Sequence, residues 1–151
     1  MSPDEKIVGW RRWKLALGRP VPGELYSLVT GQPWERGVNE AVCRSTLRYS
    51  GVPDHNPPGA ACKCGFYANY AVDLGQVFYG WAIGAVLGWG NLQVHGDGFR
   101  AQYAEVLCLV DSPTGVGVAA ERYGVPVLDP DVARAYALEH GIEMPKACLP
   151  V

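Results

Sequence analysis

The sequence is short of charge and shows no bias in its sign. Charged residues make up 19% of the 151, with 13 Lys and Arg against 15 Asp and Glu, and the net charge is −2. That balance argues against a strongly basic nucleic-acid binder, although it leaves room for a local basic patch. The N-terminus, M-S-P-D-E-K, lacks the basic-then-apolar pattern of a secretory signal. The five cysteines are an odd number. Together these features point to a reduced, cytoplasmic setting, where clustered thiols bind metal more often than they pair. Reaction motifs are missing as well. H-E-x-x-H and G-x-S-x-G are absent. The zinc deaminase pattern needs H-x-E, and His55 is followed by Asn-Pro. No nucleophile–base pair stands out, and there is no internal repeat or low-complexity tract.

Charge is also missing locally. No Asp, Glu, Lys or Arg occurs between Asp73 and Asp97, and Gly80, Gly84 and Gly88 repeat there at the small-xxx-small spacing of membrane helix pairs. The stretch nevertheless carries Gln76, Asn91, Gln93 and His95, and its strictly apolar part is too short to span a bilayer. Trp81, Ile83, Ala85, Leu87 and Trp89 alternate with Gly and small residues, a period of two that predicts a strand with one apolar face and no membrane span.

Hydrophobic residues make up 48% of the chain, enough for one domain over 1–151 with a real core. Residues 1–8 read as a loose terminus. A strand from Gly9 places Arg11, Trp13, Leu15 and Leu17 on one face and Trp10, Arg12, Lys14 and Ala16 on the other. L-Y-S-L-V-T returns as its hairpin partner. Trp34 to Val42 can form a short strand leading to Cys43. Strands are expected at about 81–87, 91–95 and 99–110, the last two joined at G-D-G, with a helical middle as the alternative for the last. A short helix over about 116–123, the strand V-P-V-L and a helix begun by Asp129-Pro130 and ended by Gly141 complete the chain. The fold class is therefore α+β: a small antiparallel β-sheet with a zinc-bound loop and C-terminal helices.

That loop runs from Cys43 to Cys64 and has too few apolar residues to fold alone. Pro53, Pro57 and Pro58 stiffen it around His55, and Gly65 suits a tight ligand turn. Cys43, His55, Cys62 and Cys64 supply three thiolates and an imidazole, the donor set of a closed tetrahedral zinc site whose metal contributes to folding. C-x-C is tighter than the usual C-x-x-C, so both sulfurs reach one ion only if Lys63 sits at a sharp bend. Three other readings stay open: buried cysteines with a surface histidine, an iron–sulfur cluster, and redox chemistry at Cys62 and Cys64.

Three further constellations are weaker. Trp10, Arg12 and Lys14 share a predicted strand face that could stack bases and neutralise phosphates, or could simply cover the sheet. His95, Asp97 and Arg100 gather at the predicted hairpin tip, either as a polar site or as residues that solvate a turn. Gly115 to Ala120 fits a loose G-x-G-x-x-A, but no acidic residue is placed for a ribose, which favours a glycine-rich helix entry.

The order G-W-R-x-W, W-x-x-G-x-x-x-A-x-C, H-x-x-P, C-x-C-G-F-Y-A, G-F-R-A-x-Y-A and E-R-Y-G-V-P, from Gly9 to Pro126, resembles a set of small uncharacterised proteins of actinobacteria and their phages. The resemblance implies that Cys43, His55, Cys62 and Cys64 form one unit, with the G-D-G-F-R-A hairpin in the same domain. The functional expectation is a non-enzymatic, zinc-stabilised module, a phage or host regulatory factor that contacts another protein through exposed aromatics such as Trp10 and Trp34. The alternatives are a nucleic-acid-binding regulator using Trp10, Arg12 and Lys14, and an enzyme using His95, Asp97 and Arg100.

Overall fold

A computed structural model describes residues 5–16, 18, 21–28, 30–43, 55–59, 62, 64–74, 79–113 and 115–144. Pro53, Lys63 and Cys148 therefore lie outside the described residues, and so does the bend expected at Lys63. The strands are β1 (Ile7–Leu15), β2 (Leu25–Ser27), β3 (Val38–Glu40), β4 (Phe66–Asn69), β5 (Trp81–Val94), β6 (Gly98–Val110) and β7 (Val127–Leu128). Two short helices, α1 (Gly117–Tyr123) and α2 (Pro130–His140), follow β6 with β7 between them. The architecture is mostly antiparallel sheet; β7 is the exception and runs parallel to β6.

Two long strands organise the sheet. β5 pairs along β1 from Ile7↔Gly88 to Lys14↔Trp81 and along β6 from Gly84↔Leu109 to Val94↔Phe99. The other edge of β6 carries β4, β3 and β7 in turn. The other edge of β1 carries β2 and, through the single pair Trp10↔Asn69, β4. The ladders β1–β5–β6–β4–β1 thus form a ring, and the sheet closes on itself.

Closure gives β5 two buried faces. Ala82 to Gly88 are all buried, so the one-sided face expected from the alternation is corrected: both faces are core. Ala82 and Val86 point into a cluster with Trp13, Phe99 and Leu109; Ile83, Ala85 and Leu87 join Val8, Trp10 and Leu74 beneath Ala133 and Ala137 of α2. Gly84 and Gly88 of the glycine repeat make room for the Trp13 and Phe99 rings inside the closed sheet. A Cβ on Gly84 would lie 2.2 Å from the Cys108 carbonyl, closer than real Cβ contacts allow, and 3.1 Å from the Trp13 ring.

Several expectations change in the same way. Strands 81–87 and 91–95 are one strand, with irregular pairing between Trp89 and Leu92. Residues 99–110 are strand throughout. The chain is ordered into the sheet from Ile7, which is 0% exposed. Asp129 has the extended backbone of an N-cap, but its side chain makes no capping bond. Trp34 is buried rather than exposed: its Nε1 donates to Ser27 Oγ at 3.0 Å, and its ring meets Trp13 and Phe66. Tyr123 of α1 locks that region by donating to the Trp34 carbonyl at 2.7 Å and accepting from Leu25 N at 2.9 Å.

Candidate metal centre

Three chain segments converge beside β6. β3 brings the first; its pairing with β6 continues through Ala41 N to Gln102 O at 2.8 Å and delivers Cys43. Asn39, buried, fixes the approach by donating to the Glu35 carbonyl at 3.0 Å and accepting from Glu35 N at 2.7 Å. The second segment, 55–59, is tied to β5 by Asn91 Nδ2, which donates to the carbonyls of Asn56 and Pro58, each at 3.3 Å. The third holds Cys62 and Cys64 and enters β4 through Gly65. Gly65 has φ +102°, which L side chains rarely adopt, and a Cβ there would sit 3.0 Å from Pro58 Cβ.

The ligand atoms of Cys43, His55, Cys62 and Cys64 all lie within 4.8 Å of one another. Cys43 Sγ is 3.5 Å from Cys62 Sγ, and His55 Nε2 is 3.2 Å from Cys64 Sγ. None of these cysteines is in a disulfide. A tetrahedron with metal–sulfur bonds of about 2.3 Å has edges of about 3.8 Å, so one ion fits between these four atoms. The Cys64 thiol is pushed up to about 11, first by burial; the Gly59 N–H opposes this, and the Cys62 and Cys43 thiols add to it. Three thiolates this close repel unless a cation lies among them, and a bound dication supplies that charge. An ion held tetrahedrally by these four groups would have no coordination site left for a reacting water.

Arg100 joins this centre. Its Nη1 donates to the carbonyls of Cys62 and Cys64, so the chain on both sides of residue 63 is held by one guanidinium. Gln93 Oε1 accepts from Nη2, and Nε lies 3.4 Å from His95 Nε2. Three thiolates, a neutral imidazole and a dication sum to −1, which the adjacent guanidinium offsets. The expected trio at the hairpin tip is thus divided among different tasks. His95 closes the turn through its backbone N to Gly98 O at 2.8 Å, and its carbonyl accepts from Tyr70 Oη at 2.8 Å. Asp97 accepts from Tyr67 Oη at 2.8 Å. Tyr67 is held up to about 12, mainly by burial and next by that bond. His95 and Arg100 face the groove described below, and Asp97 stays on the exposed turn.

Trp10, Arg12 and Lys14 do not make an exposed aromatic–basic face. Trp10 is 7% exposed and packs in the outer core, Arg12 is half-buried and Lys14 is exposed. The glycines at 115 and 117 lead into a helix of seven residues, as a glycine-rich entry would.

A groove of about 1230 Å³ runs from the metal centre along β4 to the segment between β2 and β3. Arg11 and Arg12 line it. Arg11 donates through Nη1 to Tyr67 O at 2.6 Å and through Nη2 to Ser27 Oγ at 2.8 Å, with its guanidinium 4.8 Å from the centre of the Trp34 ring. Burial pushes its pKa down to about 10. Arg11, Asn39, Asn91 and Gln93 were not singled out from the sequence. Only Arg11 left a signal there: a cation on the strand face that otherwise carries Trp13 and Leu15.

No family model, curated protein or solved structure matches the chain. Among the described residues no helix is long and apolar enough to cross a membrane.

Proposed function

We propose that this chain is a zinc-stabilised binding module that works by contacting another protein, without catalysing a reaction. One observation carries the reading: three cysteines and a histidine from three separate segments bring their ligand atoms within 4.8 Å of one another beside an open groove. Three sulfurs and one nitrogen suit zinc, and a site closed by four protein ligands is of the structural kind. An iron–sulfur cluster places several metal and sulfide ions between its ligands and would hold these side chains further apart. The buried Trp10 speaks against base stacking. His95, Asp97 and Arg100 hold turns and the metal loop in place, which leaves them poorly placed for chemistry. We read the module as a phage or host regulatory factor of the cytoplasm, where thiols stay reduced.

Native mass spectrometry with and without chelator, paired with thermal melting, tests the zinc. The expected result is one zinc per chain, with a melting temperature that falls when the zinc is removed. Iron in place of zinc, or a metal-free protein with an unchanged melting temperature, would overturn the reading.

A further inference from the structure

We infer that the groove between the β2–β3 connection and the metal loop binds an extended peptide segment carrying carboxylates and aliphatic side chains. This rests on the binding-module reading above and names the class of partner that the module takes.

Shape comes first. At about 1230 Å³ the groove exceeds the roughly 300–1,000 Å³ of small-molecule pockets. Its lining includes Leu28, Val38 and Val42, which are 41%, 53% and 68% exposed. Large apolar side chains left in water side by side mark a contact surface. These three sit together on one groove, where alternate side chains of an extended segment can cover them.

Charge selects the segment. The hydrogen bonds of Arg11 go to a carbonyl and a hydroxyl, both neutral, and the Nε atoms of Arg11 and Arg12 are buried without a hydrogen-bond partner. Glu35 and Glu40 also line the groove, yet among the described residues neither arginine forms an ion pair with a carboxylate. A cation removed from water without a counter-charge is unfavourable, and guanidinium favours carboxylate and phosphate oxygens above other partners. Between those two anions the rest of the groove decides. The rings that line the groove, Phe66 and Tyr67, are half-buried and already engaged, Phe66 against Trp34 and Tyr67 through its bond to Asp97, while Trp10 and Trp34 are 7% and 3% exposed. The carboxylates of Glu35 and Glu40 repel the continuous charge of a phosphodiester backbone, and aliphatic lips have nothing to gain from it. Separate carboxylates on a peptide can reach the arginines and leave the glutamates alone.

The test uses the full, zinc-loaded chain, labelled for amide NMR. It is titrated with a pool of acetylated, amidated octapeptides alternating Val, Leu or Ile with Asp or Glu. A matching pool with Lys in the acidic positions and a single-stranded oligothymidylate serve as comparisons. The acidic pool is expected to shift the amides of Ser27, Val38, Val42 and Tyr67 and to bind at least about tenfold more tightly than either comparison. Arg12→Glu and Val42→Asp, at positions outside the buried core, should each weaken that binding about tenfold or more. Arg11→Gln would loosen Ser27 and Tyr67 as well, so the first two variants carry the test. Equal or tighter binding of the lysine pool or the oligothymidylate overturns the proposal, and so does an acidic pool that leaves the groove amides unmoved. Shifts confined to α2 would overturn the groove assignment while the protein-binding reading survived. Loss of zinc, read on the same sample by mass, would strike that broader reading instead.

Discussion

The β5–β6 hairpin and the metal loop lie side by side and are held together in opposite ways. In the hairpin almost every residue has a ladder partner, and Ala82 to Gly88 are buried on both faces, so many weak contacts share the work. The loop has few apolar residues. Its described parts are held by particular polar groups: four side chains close enough to hold one metal ion, Asn91 at one side and Arg100 at the other. Burial of apolar area tolerates small errors, because dispersion and the hydrophobic effect are non-directional. A coordination sphere and a guanidinium clamp do not, because each depends on one geometry. The two regions should therefore fail separately and by different chemistry.

The largest separation is expected from Cys64→Ser. Structural zinc contributes on the order of 10 kcal/mol or more in small zinc domains, so losing one thiolate should release the loop. Hydrogen exchange is predicted to lose protection at the amides of Gly59, Cys64 and Gly65, while those of Val86 and Val106 stay protected. Collapse of both sets together would show that the regions form one unit. Phe99→Ala makes the reverse cut. Phe99 is 1% exposed inside the closed sheet, and such truncations typically cost about 3–5 kcal/mol. Urea unfolding should register that loss, with one metal still bound per folded chain.

Arg100→Gln probes the join between the two regions. It removes the charged donor to the Cys62 and Cys64 carbonyls, and partners just outside a metal's ligands are typically worth about 10–100-fold in affinity. Competition against a metal indicator should show that drop with little change in urea stability. An unchanged affinity would mean that the clamp is incidental. The smallest effect is expected at Tyr67. Its pKa in the folded protein, about 12, lies above its ordinary value of 10.0, so its contribution to stability is full below pH 10.0 and fades as pH rises towards 12. Asp97→Asn removes the second cause and leaves burial, the first. Tyrosinate absorbance should then show Tyr67 ionising earlier, though still later than an exposed tyrosine. No change would mean that Asp97 does not act on the phenol.

The Cys43, His55, Cys62 and Cys64 cluster was legible in the sequence because thiol and imidazole groups are rare and have few other uses when grouped. Most of the described strands and the two described helices were legible too, since period-two alternation, G-D-G, Asp129-Pro130 and Gly141 act over a few residues. The fate of single side chains was harder to read. Trp10 and Trp34 look exposed when β1 and its neighbours are treated as a flat sheet, and they become core once the Trp10↔Asn69 pair helps to close the ring and α2 covers its outside. Likewise, Arg100 sits 36 residues from Cys64 in sequence, and only the β4–β6 register lays its guanidinium on the cysteine carbonyls.

Local composition alone marked which residues can bind a metal and where the chain turns, because these depend on donor chemistry and backbone preference within a few positions. Tertiary structure decided which faces are buried, what Arg100 and Asp97 do, and that a groove lined by Arg11 and Arg12 exists, with neither in an ion pair among the described residues. Those properties arise from strand pairs between residues far apart in the chain, and no short stretch of sequence encodes the curvature that brings them together.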